Sequence, residues 1–377
     1  MLPIAMAGLY IHIPFCHSKC SYCDFYSGLR PAAAAGYIDA VIAELQLRRH
    51  EINTDFTSIY IGGGTPSIIP AAEMQRLVDA IAATTDMARV EEFTIEVNPE
   101  DVTDELLAAY RAMGVNRISM GVQSFDNKLL AAINRRHSAA EALAAIDLLR
   151  EGGWNYSIDL MFGLPGQTME MWQADVDRAM KLRPPHISAY LLSYEPGTRL
   201  YAMLCAGKVT EAPEELADAM QQYFTRSAAG NGYIHYEISN YSQPGRHSRH
   251  NSAYWNMTPY LGLGASAHSY DGRVRRINPP DIKRYLAALA DRRIAAETEE
   301  ENIDELFNDF IITGLRTADG LSLARLQERF PESFITDLRR DATPLIAAGQ
   351  LQLTDRLAIP QRHWLKADAI MRDLLRI

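Results

Sequence analysis

Tyr10-Ile-His-Ile-Pro-Phe-Cys16-His-Ser-Lys-Cys20-Ser-Tyr-Cys23 is the stretch on which the reading of this chain turns. Its apolar start reads as a strand entering a core, and three thiols follow in a C-x3-C-x2-C loop. Structural zinc sites usually close on four ligands arranged as separated pairs. Three thiolates on one compact loop instead suit an iron–sulfur cubane, with one iron left for an outside ligand. An amino-acid group with adjacent amine and carboxylate can chelate such an iron. A disulfide framework needs cysteines spread along the chain. Here the fourth, Cys205, is isolated and reads as a small core or surface residue.

Outward from that loop, short apolar strands alternate with amphipathic helices as far as residue 192. Strands are expected at 9–13, 58–61, 92–97, 117–122, 156–161 and 186–191. Helices are expected at 33–49, 71–83, 103–113, 138–150 and 168–181, with Ser138 and Glu141 forming a capping box. Six strand–helix units imply an α/β fold with a mostly parallel sheet, because parallel neighbours need long crossovers. Six are too few for an eight-fold barrel, so an open partial (β/α)6 barrel fits. Ligands of such sheets gather at the C-terminal strand ends.

The pattern loosens after residue 199. A helix is expected over 213–231, with Pro213 in its first turn, and an irregular stretch over 237–272. The last part turns helical, with helices at 321–330 and 334–348, small strands at 351–353 and 357–359, and a closing helix at 364–375. That is a smaller, winged-helix-like C-terminal domain. The divisions are therefore 1–200 for the partial barrel, 201–298 for its extension and 299–377 for the last domain.

A formal net charge of −10 with no block of Lys and Arg argues against a nucleic-acid partner. The apolar first ten residues lack a basic start and a small-residue cleavage site. No run approaches the roughly 18 apolar residues of a membrane span. A cytoplasmic protein is expected, with peripheral membrane contact and a homodimer left open.

A second motif, Gly62-Gly-Gly-Thr-Pro66, directly follows a strand. Glycines there let the backbone approach a ligand and present amide donors to it, although a plain tight turn reads the same way. Polar residues then fall at or near strand ends: Glu96, Gln123, Arg135 and Asp159. A carboxylate can accept from ribose hydroxyls or an ammonium, and a guanidinium can fork onto a carboxylate.

With these motifs the chain resembles the radical S-adenosylmethionine (SAM) superfamily. More narrowly, it is similar to the branch containing oxygen-independent coproporphyrinogen III oxidase and the HemW heme chaperones. The resemblance implies a 4Fe-4S cluster on Cys16, Cys20 and Cys23. It further implies S-adenosyl-L-methionine held by Tyr10, Tyr22, Gly63, Gly64, Thr65, Glu96, Gln123, Arg135 and Asp159, some of them serving a second cofactor molecule. The oxidase carries a further cysteine two residues past the third ligand, where this chain has Phe25. It also has a long N-terminal extension, whereas fifteen residues precede Cys16 here.

His250-Asn-Ser-Ala-Tyr-Trp255 resembles the H-N-x-x-Y-W segment of the chaperone group and implies heme bound at His250. Neutral imidazole is a common axial ligand of heme iron, and Arg246 and Arg249 could pair with propionates. His247 and His268 are rival ligands. The reading is a heme carrier with an acceptor hemoprotein as partner and no assigned catalytic residue. The alternatives are radical decarboxylation of porphyrinogen propionates and a winged-helix regulator.

Overall fold

The computed structural model describes residues 7–28, 34–51 and 55–376. At its centre lie six parallel strands in chain order: β1 (Ala7–Ile13), β2 (Phe56–Gly63), β3 (Glu92–Val97), β4 (Arg117–Gln123), β5 (Asn155–Phe162) and β6 (His186–Leu191). The chain returns between them through α1 (Ala34–Arg48), α2 (Ala71–Ala82), α3 (Asp104–Ala112), α4 (Asn127–Ala132), α5 (Ala139–Glu151) and α6 (Met169–Leu182). Residue 33, the expected start of the first helix, lies outside the described residues. Hydrophobic period gave no sign of α4, whose six residues make less than two turns. The capping box forms as expected: Ser138 N–H donates to Glu141 Oε2 at 2.7 Å, and Glu141 N–H donates to Ser138 Oγ at 3.3 Å.

The remainder holds more sheet than the sequence suggested. After α7 (Arg199–Cys205) comes α8 (Glu214–Gly230), with Pro213 at its N-cap rather than inside its first turn. The stretch expected to be irregular contains β8 (Asn240–Ser242), α9 (Arg249–Trp255), β9 (Tyr260–Leu263) and β10 (His268–Tyr270), preceded by β7 (Ile234–Glu237). Strands of three or four residues are too short to show a period, so their partners define them. β9 pairs in parallel with β1, from Gly8 against Tyr260 to Ile11 against Leu263. β8 pairs antiparallel with β6, and β7 with β8. With β11 (Val274–Ile277), α10 (Ile282–Ala290) and β12 (Glu297–Glu300), the sheet reaches twelve strands in the order β12-β11-β10-β9-β1-β2-β3-β4-β5-β6-β8-β7.

The C-terminal unit contains α11 (Ile303–Leu315), β13 (Leu321–Ser322), α12 (Leu323–Arg329), α13 (Glu332–Ala347), β14 (Gln352–Leu353), β15 (Arg356–Ala358) and α14 (Ala367–Arg372). The helix expected from 321 starts later, because Leu321 and Ser322 pair with Leu357 and Arg356 before Ser322 caps α12. The expected closing helix splits into a 3-10 segment, Gln361–Lys366, and α14. One apolar core runs from Leu9 to Leu289, and a second from Met257 to Leu374. The middle stretch is tied to the C-terminal unit by backbone bonds, Ala318 N–H to Tyr236 O at 2.9 Å and Ile238 N–H to Arg316 O at 3.1 Å. Among the described residues, no helix is long and apolar enough to cross a membrane.

Candidate functional site

Every second residue of three central strands is polar or small where its neighbours are apolar. Arg117, Ser119, Gly121 and Gln123 alternate with Ile118, Met120 and Val122; Ser157 and Asp159 alternate with Ile158 and Leu160; His186, Ser188 and Tyr190 alternate with Ile187 and Ala189. Because strand side chains alternate between faces, one face joins the apolar core and the other lines a cavity of about 440 Å³. The cavity extends from the cysteine loop to Arg117 and His186, which stand at the beginnings of β4 and β6.

At the C-terminal strand ends, the cysteine loop is closed by Gly28 N–H to Pro14 O at 2.7 Å and Cys16 N–H to Gly28 O at 3.0 Å. The glycine turn after β2 packs directly on this loop, with Gly64 N–H donating to Ile13 O at 2.8 Å. A Cβ on Gly64 would stand 2.5 Å from Phe15 O and 3.0 Å from Cys16 Sγ, so a larger residue cannot enter without moving the loop. Gly63 has φ +111°, and a Cβ there would meet the His12 ring at 2.6 Å. Thr65 Oγ1 donates to Cys16 Sγ at 3.6 Å and accepts from Asn98 Nδ2 at 3.3 Å. Arg135 reaches Cys20 Sγ at 3.5 Å and Asn98 Oδ1 at 3.1 Å, and also donates to Gly121 O. Gln123 ends β4 at φ +67°, where the register with β5 shifts.

Two half-buried carboxyls, Glu96 and Asp159, lie in each other's field in the lumen. Glu96 accepts from Tyr60 Oη at 2.7 Å and from Gly63 N–H at 3.0 Å, yet burial pushes its pKa up to about 7. Burial lifts Asp159 to about 6, against the pull of Ser188, Arg117 and Arg135. Arg117 is 2% exposed, forms no ion pair among the described residues and leaves its Nε without an acceptor. All the residues expected around the cofactor line this cavity except Tyr10. Tyr10 stands behind the wall, its Oη 2.9 Å from His12 Nδ1 and its ring tilted against Tyr60.

His250 lies elsewhere. It is 2% exposed, with Nδ1 2.9 Å from Ser58 Oγ and Nε2 3.0 Å from Tyr254 Oη. Its ring stacks on Tyr60, 5.1 Å between centroids, and burial lowers its pKa to about 3. Glu92 anchors the helix that carries it, accepting from Arg249 N–H at 2.8 Å and His250 N–H at 3.0 Å. In this conformation both imidazole nitrogens are engaged. Arg249 is paired with Glu91, and Trp255 faces a second groove beside the C-terminal unit. His268 is exposed at the start of β10.

Comparison with known proteins places this architecture. The description of the Radical SAM superfamily matches residues 10–179, and that of the HemN C-terminal domain matches residues 303–365. "Heme chaperone HemW" of Lactococcus lactis is 38% identical, covering 86% of this chain and 85% of its own. The protein of that name from Mycobacterium tuberculosis is 32% identical over 98% of this chain and 94% of its own. The chain belongs to the HemW family. The fold is shared with coproporphyrinogen III oxidase (HemN) from Escherichia coli, at a TM-score of 0.85 and 24% identity, covering 99% of this chain and 90% of that one.

As a HemW family member the chain has the donors that a cluster needs. Among the described residues no three His, Cys, Asp or Glu side chains converge closely enough for a single metal ion. A cubane asks for a different arrangement, since its thiolates sit at separate corners. Cys16, Cys20 and Cys23 are spaced around the cavity end with no disulfide, and the Arg135 guanidinium lies 3.5 Å from Cys20 Sγ. Phe25, 61% exposed, also lines the cavity.

Sequence reasoning missed Tyr60, Asn98, Arg117, His186 and Ser188, all of which line the lumen. For Arg117, His186 and Ser188 the signal was present as the polar alternation within β4, β5 and β6; Tyr60 lies on β2, outside it. Asn98 had none, because it lies just past the end of β3 and matters through Thr65 and Arg135.

Proposed function

We propose that this chain carries heme to an acceptor protein, with a 4Fe-4S cluster on Cys16, Cys20 and Cys23 and S-adenosylmethionine bound beside it in the barrel lumen. The observation that carries this reading is the likeness, over most of the chain, to relatives named heme chaperones. The lumen supports the cofactor part. Gly63, Gly64 and Thr65 offer backbone and hydroxyl groups to the amino-acid end of the ligand, and Arg135 can fork onto its carboxylate. Glu96 and Asp159 meet its ammonium and ribose, while Gln123 and Tyr22 close the wall, with Tyr10 behind them. When reduced, such a cluster supplies one electron to a bound sulfonium. No residue is assigned to acid–base chemistry.

His250 could ligate heme only after leaving Ser58, Tyr254 and the Tyr60 ring. A second reading, radical decarboxylation of porphyrinogen propionates, draws support from Arg117, a buried cation that faces the lumen and has no ion pair among the described residues. Anaerobic heme titration of cluster-loaded protein separates the two. Saturable one-to-one binding, followed by transfer to an apo-hemoprotein, is expected. No saturable binding, together with porphyrinogen consumption, would reverse the order.

A further inference from the structure

We propose that the cargo heme is received in the groove between the middle stretch and the C-terminal unit, with His247 as iron ligand and Arg325 and Arg356 on the propionates. This deepens the heme-carrier reading and rests on it. The groove has a volume of about 180 Å³ and lies outside the barrel lumen.

His247 differs from His250 in what is already bound to it. It is exposed, and among the described residues neither of its ring nitrogens has a hydrogen-bond partner. One face stacks on Tyr236, with 4.1 Å between centroids and 16° between planes. Tyr236 is itself fixed, its Oη lying 2.8 Å from His186 Nε2 and accepting from Ser248 N–H at 3.3 Å. The imidazole is thus positioned from one side and open on its nitrogens. Partial burial lowers its pKa, against the pull of Asp319, which favours the neutral form that binds iron.

The rest of the groove matches a porphyrin in polarity and charge. Trp255, Met257, Phe310 and Leu321 supply apolar surface. Arg325 and Arg329 lie over the Phe310 ring at 5.6 and 5.5 Å, and Arg356 lines the same groove. None of the three forms an ion pair among the described residues. Arg325 instead donates to Asn256 O at 3.2 Å, and Arg356 to Asp319 O at 2.6 Å. Burial, helped by repulsion from Arg329 and Arg356, lowers the Arg325 pKa. Asp319 is the one acid of the lining, so positive charge is left over on a chain whose net charge is −10. An apolar disc with a ligand-seeking iron and two carboxylates fits that surplus. A groove of this size grips one edge of the ring and leaves the rest open to an acceptor.

The test is an anaerobic titration of the full, cluster-loaded chain with hemin, followed by the Soret band. His247→Ala is expected to weaken binding at least tenfold and to lose the wild-type ligand spectrum. His247→Cys is expected to restore binding with the spectrum of thiolate-ligated heme, a change that a merely structural role would not produce. Arg325→Glu with Arg356→Glu is expected to weaken binding about tenfold while the ligand spectrum stays the same. Wild-type binding that His247→Ala leaves unchanged overturns the groove and keeps the heme reading. Absence of saturable binding in the wild type overturns both.

Discussion

The barrel lumen and the junction groove hold charge in opposite ways. In the lumen the charges are half-buried and tied down: Glu96 by a tyrosine and a backbone amide, Arg135 by Asn98, Gly121 and Cys20. In the groove the arginines rest on ring faces and backbone carbonyls, and among the described residues no carboxylate answers them within ion-pair distance. Hydrogen-bonded charge fixes geometry before a ligand arrives, which suits a cofactor that stays. A shallow apolar groove with unanswered charge gives affinity without enclosure, which suits cargo that must leave. Tyr236 stands where the two regions touch, sharing its hydroxyl with His186 on the lumen wall and packing its ring on His247.

The largest effect expected is on the lumen's upper end. Cys20→Ser is expected to abolish cluster absorbance and bound iron and sulfide, because a hydroxyl is a poor substitute for a soft thiolate. Full iron and sulfide in that variant would sink the cluster assignment. Gly64→Ala follows. Its methyl group would stand 2.5 Å from Phe15 O and 2.9 Å from Ile13 O, so the cysteine loop must shift and iron content after reconstitution is expected to fall severalfold. A fully loaded Gly64→Ala protein would mean that the glycine turn and the cysteine loop are less tightly joined than their contacts indicate.

These two predictions rest on segments that the sequence made legible. The cysteine spacing, the glycine turn and the parallel strands announce themselves through periodicity and local motif, because each is complete within a short stretch. The groove does not. His247, Met257, Phe310, Arg325 and Arg356 come from three elements, a loop and a turn, and only the tertiary fold joins them. Nor could the setting of His250 be read from its neighbours. The motif places a histidine beside Tyr254 and Trp255, but Ser58 and Tyr60, from a distant strand, occupy one nitrogen and one face of its ring.

Asp159→Ala sharpens the lumen side with a smaller effect. Loss of a charge-assisted hydrogen bond of about 1.5–3 kcal/mol is expected to weaken S-adenosylmethionine about tenfold to a hundredfold, with the cluster retained. Unchanged affinity by calorimetry would remove Asp159 from the ribose or ammonium contact. The neighbouring carboxyl adds a pH dependence. Burial holds Glu96 near 7, and a cationic ligand favours its ionised form, so binding releases a proton. Affinity is therefore expected to fall as pH drops, by up to about tenfold between pH 7 and pH 6. Glu96 alone affects the ligand-free fold in the opposite sense. Its raised pKa stabilises the fold below the ordinary carboxylate range, and that gain is lost as pH rises through about 7. Glu96→Gln is expected to flatten the binding profile; an equally steep profile in that variant would assign the titration to another group.

The smallest effect tests how self-contained the lumen is. Ser138 caps α5 only three residues after Arg135, and Ser138→Ala is expected to lower stability by about 1 kcal/mol in thermal or denaturant unfolding. Neither S-adenosylmethionine nor heme affinity is expected to change. The Arg135 guanidinium takes its position from Asn98, Gly121 and Cys20, all outside α5, so fraying the first turn of that helix leaves the fork in place. If cofactor affinity nevertheless fell with the cap, the frame around Arg135 would extend into the outer helices. The contrast between a rigid lumen and an open groove would then belong to the whole barrel wall rather than to its inward-facing residues.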